Sequence, residues 1–309
     1  MELLIQLALL AASAVCAVAP MVLLLVAVWW LDRYTREPVW IVGLTFLWGG
    51  IGAVLLALVF NTGLDFALGA LVGWLDERMP TDLSWVAAAA GPVVVAPLIE
   101  EPAKAIFLLF VLWNRHFDDM ADGFLYGAAA GLGFGMTENF LYFAQTSQDP
   151  GVWMQTVLIR TAYSAVMHAT ATSIVGAAAA FGWFRERAAL VASLAVGIPL
   201  AMAIHGLWNG ILTAGDLGGF GDQALDVNLI LLPLEVLGVL AVWQLCLWEE
   251  SRTIRRELAE EASGGRLPAG HPERLASWWS RAWVTDWIPP GVDRALYLDT
   301  ATSLAMRKS

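Results

Sequence analysis

The chain has 309 residues, of which 59% are hydrophobic and only 15% charged, and its formal net charge is −11. A soluble domain of this length is about one quarter charged, so this composition places the chain in the membrane class rather than among water-soluble enzymes. Before Glu249 there are nineteen acidic and eight basic residues, so no basic patch is offered to nucleic acid.

A transmembrane helix needs roughly 20 apolar residues. By that measure the sequence predicts an all-α, polytopic transmembrane helical bundle of about seven spans. The first is Leu4–Leu31, containing Pro20, and the second Val39–Phe60. Asn61–Ser84 reads as an amphipathic or re-entrant connector. The third span, Trp85–Trp113, is broken by Pro92, Pro97 and Pro102, and the fourth, Ala121–Phe143, is rich in glycine. Val152–Phe181, Ala188–Ala214 and Leu229–Leu247 complete the set. The first apolar run lacks a basic leader and continues past its small residues, so a retained span is expected rather than a cleaved signal. Cys16 and Cys246 lie in separate spans and read as small buried hydrophobes.

Arginine placement predicts the orientation. Arg33 and Arg36, Arg115, and Arg185 and Arg187 mark the odd-numbered loops, and Arg252, Arg255 and Arg256 begin the tail. These segments are expected to face the cytoplasm, with the N-terminus outside and the chain in the cell membrane. Residues 1–247 then form the membrane-embedded domain and 248–309 a cytoplasmic tail. In the tail, Ser251–Glu261 reads as a charged helix and Ala262–Pro272 as a linker. Trp278, Trp279, Trp283 and Trp287 cluster near Arg274 and Arg281. That pattern suits either the inner membrane surface or packing on the protein's own loops.

Five ionisable residues fall inside apolar spans: Glu100, Glu101, Glu138, His168 and His205. Each costs roughly 2.5–3.5 kcal/mol at mid-bilayer on insertion scales, so each needs a partner or a task. Lys104 shares a helix face with Glu100 and Glu101. Pro102 is expected to kink the helix there and release the carbonyl of Leu98. Asn209 lies one turn beyond His205. Arg160 either reaches the outer interface or pairs with an acidic group of the site. His116, Asp118 and Asp119 form a cytoplasmic loop group, read as ordinary loop residues in preference to the alternative of a metal site. At 1.5 Å per residue, Glu138 and His205 lie roughly 10 Å below the outer surface, and Glu100 and His168 roughly 20 Å. Overlapping depth on four helices predicts a shared, water-accessible pocket.

Such a pocket holds the parts for hydrolysis. One carboxylate can activate water, with Glu100 and Glu101 both open as the base. Lys104 would set their charge state. His168, His205 and Glu138 could hold a divalent metal, with zinc suited to that donor set. Asn209 could donate to a developing oxyanion. Buried carboxylates and broken helices also suit a proton or cation transporter, although no internal repeat relates the two halves. A non-catalytic membrane scaffold on a protease-like fold is the third alternative.

Glu100-Glu101-Pro-Ala-Lys104, then Gly131-Leu-Gly-Phe-Gly-Met-Thr-Glu138-Asn139, then His168 and His205 in successive spans, resemble the PrsW-type intramembrane proteases. That family is similar to the larger CAAX prenyl and bacteriocin-processing protease group, whose pattern has a histidine where this chain has Glu138. The resemblance covers roughly Arg33 to Leu247. It implies a membrane-embedded peptidase domain that cleaves membrane-anchored protein substrates near the outer face. The family's best-known role is site-1 cleavage of an anti-sigma factor.

Overall fold

The computed structural model describes residues 2–79, 82–284 and 286–308. Helices account for nearly all of them, and no strand occurs among the described residues. Seven long helices follow one another: α1 (Glu2–Leu31), α2 (Val39–Asp76), α3 (84–111), α4 (Met120–Thr146), α5 (Pro150–Trp183), α6 (Arg187–Gly218) and α7 (Gly221–Ser263). Three short helices complete the tail: α8 (His271–Leu275), α9 (Trp278–Trp283) and α10 (Arg294–Lys308).

Among the described residues, five helices are long and apolar enough to cross a membrane: α1, α2, α5, α6 and α7. The two others, α3 and α4, carry Glu100, Glu101, Lys104 and Glu138. Their lower apolarity has a physical reason in α4. This helix packs against α1, α2, α3, α5 and α7, so most of its surface meets protein.

Close approach to α4 depends on glycine. A Cβ on Gly131 would collide with the backbone carbonyl of His168 on α5, and one on Gly133 with that of Phe46 on α2. Small residues let backbones approach closely where water cannot drive helices together. The α4 N-terminus is held by a reciprocal cap. Asp119 accepts from the backbone of Ala121 and Asp122, while Asp122 accepts from the backbone of Asp119.

Two sequence expectations need correction. Asn61–Ser84 is not a re-entrant connector, because α2 continues unbroken to Asp76. No proline interrupts Val39–Asp76, so nothing stops helical propagation at Phe60. The irregular turn of α3 is also not at Pro102. It is a π-helical turn at Gly91–Val95, followed by regular helix that carries both Pro97 and Pro102. Similar π turns widen α2 at Trp48–Ala53 and α5 at Arg160–Ser164. Such turns recur at functional sites.

The expected charged helix Ser251–Glu261 is the last part of α7, which runs from the apolar segment into the tail without a break. The tail folds back on it. Ile254 and Leu258 of α7 pack with Leu275, Ala276, Trp287 and Ala305. Tyr34 of the first loop donates to the Ala276 carbonyl at 2.8 Å, and Arg281 donates to the Tyr34 carbonyl at 3.0 Å. Trp279 and Trp283 remain 64% and 66% exposed. Around the first and third loops, burial reinforced by neighbouring carboxylates pushes Asp32 and Asp118 up to about 8.

Gly131→Ala should test the α4–α5 contact. Alanine is favoured over glycine in a helix by about 1 kcal/mol, whereas overpacking costs about 1–3 kcal/mol. The collision with backbone rather than a flexible side chain should win, lowering the unfolding temperature in detergent. An unchanged or raised midpoint would mean the helices can separate at little cost.

Candidate active site

The site begins with a buried amine. Lys104 is fully buried on α3, and its Nζ lies 2.7 Å from Glu101 Oε1, 3.0 Å from His168 Nδ1 and 3.9 Å from Glu100 Oε2. Its fourth neighbour is the face of Phe134 on α4, 4.1 Å from Nζ to the ring centroid. An ammonium has donors only. Nδ1 of His168 therefore accepts, and Nε2 carries the ring proton. That Nε2 donates to Glu138 Oε2 at 2.7 Å.

Glu101 is also fully buried and spends both oxygens on protein partners. Oε1 accepts from Lys104 and, at 2.9 Å, from His205 Nδ1; Oε2 accepts from Thr172 at 3.2 Å. A carboxylate on Nδ1 fixes that proton and leaves a lone pair on Nε2. His205 Nε2 lies 3.8 Å from Glu100 Oε2. Glu100 is held differently. Its Oε1 accepts from Asn61 at 3.1 Å, while its buried Oε2 has no hydrogen-bond partner among the described residues.

Adjacent glutamates thus occupy different environments. Glu101 faces inward among α3, α5 and α6, while Glu100 faces a cavity of about 610 Å³, a size ordinary for ligand sites. Asn61, Glu100, Glu138, Arg160, His168 and Asn209 contribute to its wall. Two of the π turns reach it through Gly91 and Pro92 and through Arg160 and Ser164.

Arg160 takes the second of its two expected courses. Its Nη2 lies 2.6 Å from Glu138 Oε2 and 3.1 Å from Ser164 Oγ, and its Nε donates to Asn139 Oδ1 at 3.1 Å. Asn209 donates one side-chain N–H to the Pro92 carbonyl at 2.9 Å, within the widened turn of α3. Its amide has a second N–H.

All seven residues singled out from the sequence lie in or beside this cluster. The expected depth offset of roughly 10 Å is absent, since His205 touches Glu101 and His168 touches Glu138. The offset came from the assumed span ends, and α4 and α6 run on to Thr146 and Gly218. The candidate ligand atoms that lie closest together differ in one member from the expected set of His168, His205 and Glu138. Glu100, His168 and His205 offer ligand atoms within 4.8 Å of one another, and Glu138 is outside that group. Glu138 is instead ion-paired to Arg160. Asn61, which holds Glu100, lies one residue beyond the Phe60 end expected for the second span, where no sequence signal marks it as part of the site.

The donor set is chemically suited to a divalent ion, since imidazole and carboxylate both suit zinc and its neighbours. Glu100 Oε2 and His205 Nε2 make no hydrogen bond and are ready to ligate. His168 has both ring nitrogens engaged, so it would join only by releasing Glu138.

The sequence model of one family, described as PrsW family intramembrane metalloprotease, matches residues 37–242. The chain is 30% identical over 130 residues to Protease PrsW of Clostridioides difficile (strain 630), covering 41% of this chain and 49% of that protein. It is 30% identical over 117 residues to Protease PrsW of Bacillus subtilis (strain 168), covering 38% and 51%. Over 207 residues it is 27% identical to Protease PrsW of Geobacillus kaustophilus (strain HTA426), covering 66% and 80%. The chain therefore spans about half the length of the first two relatives. No solved structure matches.

The two glutamates should differ in stability. Glu101→Ala leaves Lys104 buried with a single carboxylate at 3.9 Å. Breaking a buried pair by removing one partner costs about 3–5 kcal/mol. Glu100→Gln removes no short contact of Lys104 and should cost about 1 kcal/mol or less, the scale of one hydrogen bond. Thermal unfolding of both variants in one detergent would show this order; equal losses would contradict the inward and outward assignment.

Proposed function

The chain belongs to the PrsW family of intramembrane metalloproteases, and from that premise we propose that it hydrolyses peptide bonds of membrane-anchored proteins in the Glu100 cavity. The observation that carries this reading is the unpartnered Glu100 Oε2, buried at the cavity wall beside the lone pair of His205 Nε2. A buried carboxylate oxygen without a donor is costly in a purely structural role. It is what a proton acceptor for water requires.

In this mechanism Asn61 holds Glu100 through Oε1, so that Oε2 is presented to a water in the cavity. Glu100 takes the water's proton as its oxygen attacks the scissile carbonyl, and returns a proton to the leaving amine. Glu101 acts as a positioning residue. It holds Nδ1 of His205 and so keeps Nε2 free toward Glu100. The Lys104 ammonium stands 3.9 Å from Glu100 Oε2. The remaining N–H of Asn209 and the guanidinium of Arg160 are among the cavity donors that could serve a carbonyl oxygen.

In an alternative use of the same Glu100 oxygen, Glu100, His168 and His205 would hold a divalent ion, with zinc fitting the donors, and Glu100 would then be a ligand rather than the base. When bound, such an ion supplies Lewis acidity and a more acidic water. The arginine pattern supports a reading in which this cavity lies toward the outer face of the cell membrane and the tail in the cytoplasm. The substrate is then a membrane-anchored protein cut close to that face, and a single-span anti-sigma factor is the class to test.

Glu100→Gln and His205→Ala, reconstituted in liposomes with a single-span substrate, should each lower cleavage by at least about a hundredfold, the usual span of general-base catalysis. Glu100→Gln should do so while remaining folded. Full cleavage by that variant would remove the carboxylate from the chemistry. Elemental analysis of the same preparations gives a separate reading. Divalent metal should fall in both variants relative to wild type. Equal, negligible metal in all three would remove the ion and leave the carboxylate as the sole activator of water.

A further inference from the structure

A second polar cluster lies at the N-terminal end of α4, away from the catalytic cavity. Asp32 and Glu37 come to it from the first loop, Asp118 and Asp119 from the third, Asp122 from α4 and Glu250 from α7. Asp32, Glu37, Asp122 and Glu250 are each no more than 3% exposed, and Asp119 is 8% exposed. Capping accounts for part of this acidity. Asp119 Oδ1 serves the backbone of Ala121 and Asp122, and Asp122 Oδ2 serves the backbone of Asp118 and Asp119. Glu37 is engaged by the hydroxyl of Tyr126.

Capping leaves several oxygens without a task. Nine buried side-chain polar atoms among the described residues lack a hydrogen-bond partner, and five of them are here. They are both oxygens of Asp32, Oδ1 of Asp118, Oδ1 of Asp122 and Oε2 of Glu250. Among the described residues no lysine or arginine nitrogen lies within 4.0 Å of any of the six carboxylates. Arg36, Arg281 and Arg307 act on the cluster only from farther away. Asp118, Asp119 and Asp122 each offer an oxygen, and these atoms lie within 4.8 Å of one another.

We propose that this cluster binds one hard divalent cation of the Mg²⁺, Ca²⁺ and Mn²⁺ class, held by Asp118, Asp119 and Asp122, with Asp32 and Glu250 supplying further oxygens. Ligand chemistry selects that class, since the assembled donors are all oxygen. The capping geometry prepares the site. One oxygen of Asp119 and one of Asp122 lock the helix end, which aims the other oxygen of each carboxylate with little rotamer freedom left. Thr35 Oγ1 stands 3.5 Å from Asp119 Oδ2 and 3.4 Å from Glu250 Oε1, bridging the two sides. A cation here ties the first loop, the third loop and α7 together at the base of the tail.

Mn²⁺ titration of the full-length protein in detergent, followed by the electron paramagnetic resonance signal of free Mn²⁺, tests the site. Wild type and His205→Ala should both bind Mn²⁺, and excess Ca²⁺ or Mg²⁺ should release it. The His205 variant separates this site from the catalytic one. Asp118→Asn and Glu250→Gln should each weaken Mn²⁺ binding at least tenfold. Neither side chain caps α4, and circular dichroism would verify that both variants fold. The proposal is overturned if the only Mn²⁺ bound by wild type is lost in His205→Ala. It is equally overturned if both folded acidic variants bind Mn²⁺ as wild type does.

Discussion

The amine of Lys104 is the contact on which the buried cluster around Glu100 and Glu101 depends. A fully buried ammonium must be matched by a carboxylate close at hand, and Glu101 supplies it at 2.7 Å. That pairing settles the neighbours in turn. With Glu101 negative, Nδ1 of His205 carries its proton and Nε2 keeps a lone pair. With Lys104 donating to His168 Nδ1, the His168 proton sits on Nε2 and meets Glu138. Arg160 then balances Glu138. One charge on α3 thereby orders side chains on α4, α5 and α6, and it leaves Glu100 with a buried, uncommitted oxygen at the cavity wall.

This arrangement needs helices closer together than ordinary side chains allow. Gly131 meets the backbone of His168 itself, so the glycine that admits α5 also sets the depth of the histidine. Regular helices so tightly packed would leave little room for a cavity between them. The π turns at Gly91–Val95 and Arg160–Ser164 supply it, and residues of both line the cavity. Widened turns expose backbone carbonyls, and Asn209 satisfies that of Pro92. The polar side chain expected to act on the substrate is thus partly spent on keeping the wall of the site intact.

The seven long helices and the seven clustered residues were legible in the sequence because their signals are local and strong. Apolar runs between arginine-bearing loops mark helices, and a charged group inside such a run is conspicuous. Ends and irregular turns were not legible. Phe60 looked like a terminus because Asn61 and Asp65 follow it, yet two polar residues do not stop a helix that lacks proline. Pro102 looked like the kink, but the break lies at Gly91–Val95, where glycine and proline adjoin. The division of labour between Glu100 and Glu101 was hidden as well. Adjacent positions on a helix point about 100° apart, and which one faces inward depends on where α5 and α6 dock.

The acidic group on the third loop was underread for a related reason. His116, Asp118 and Asp119 are exposed-looking residues in sequence, and Asp119 followed by Asp122 is an ordinary helix start. Only the fold brings Asp32, Glu37 and Glu250 to the same place, across sequence separations that no spacing rule anticipates. In both clusters the informative atom is the one left over once structural duties are met. Glu100 Oε2 remains after Asn61 has taken Oε1, and Asp122 Oδ1 remains after the cap has taken Oδ2. Glu101, in contrast, has both oxygens taken by protein partners. Accounting oxygen by oxygen therefore separates positioning groups from those positioned for a ligand, at either end of α4.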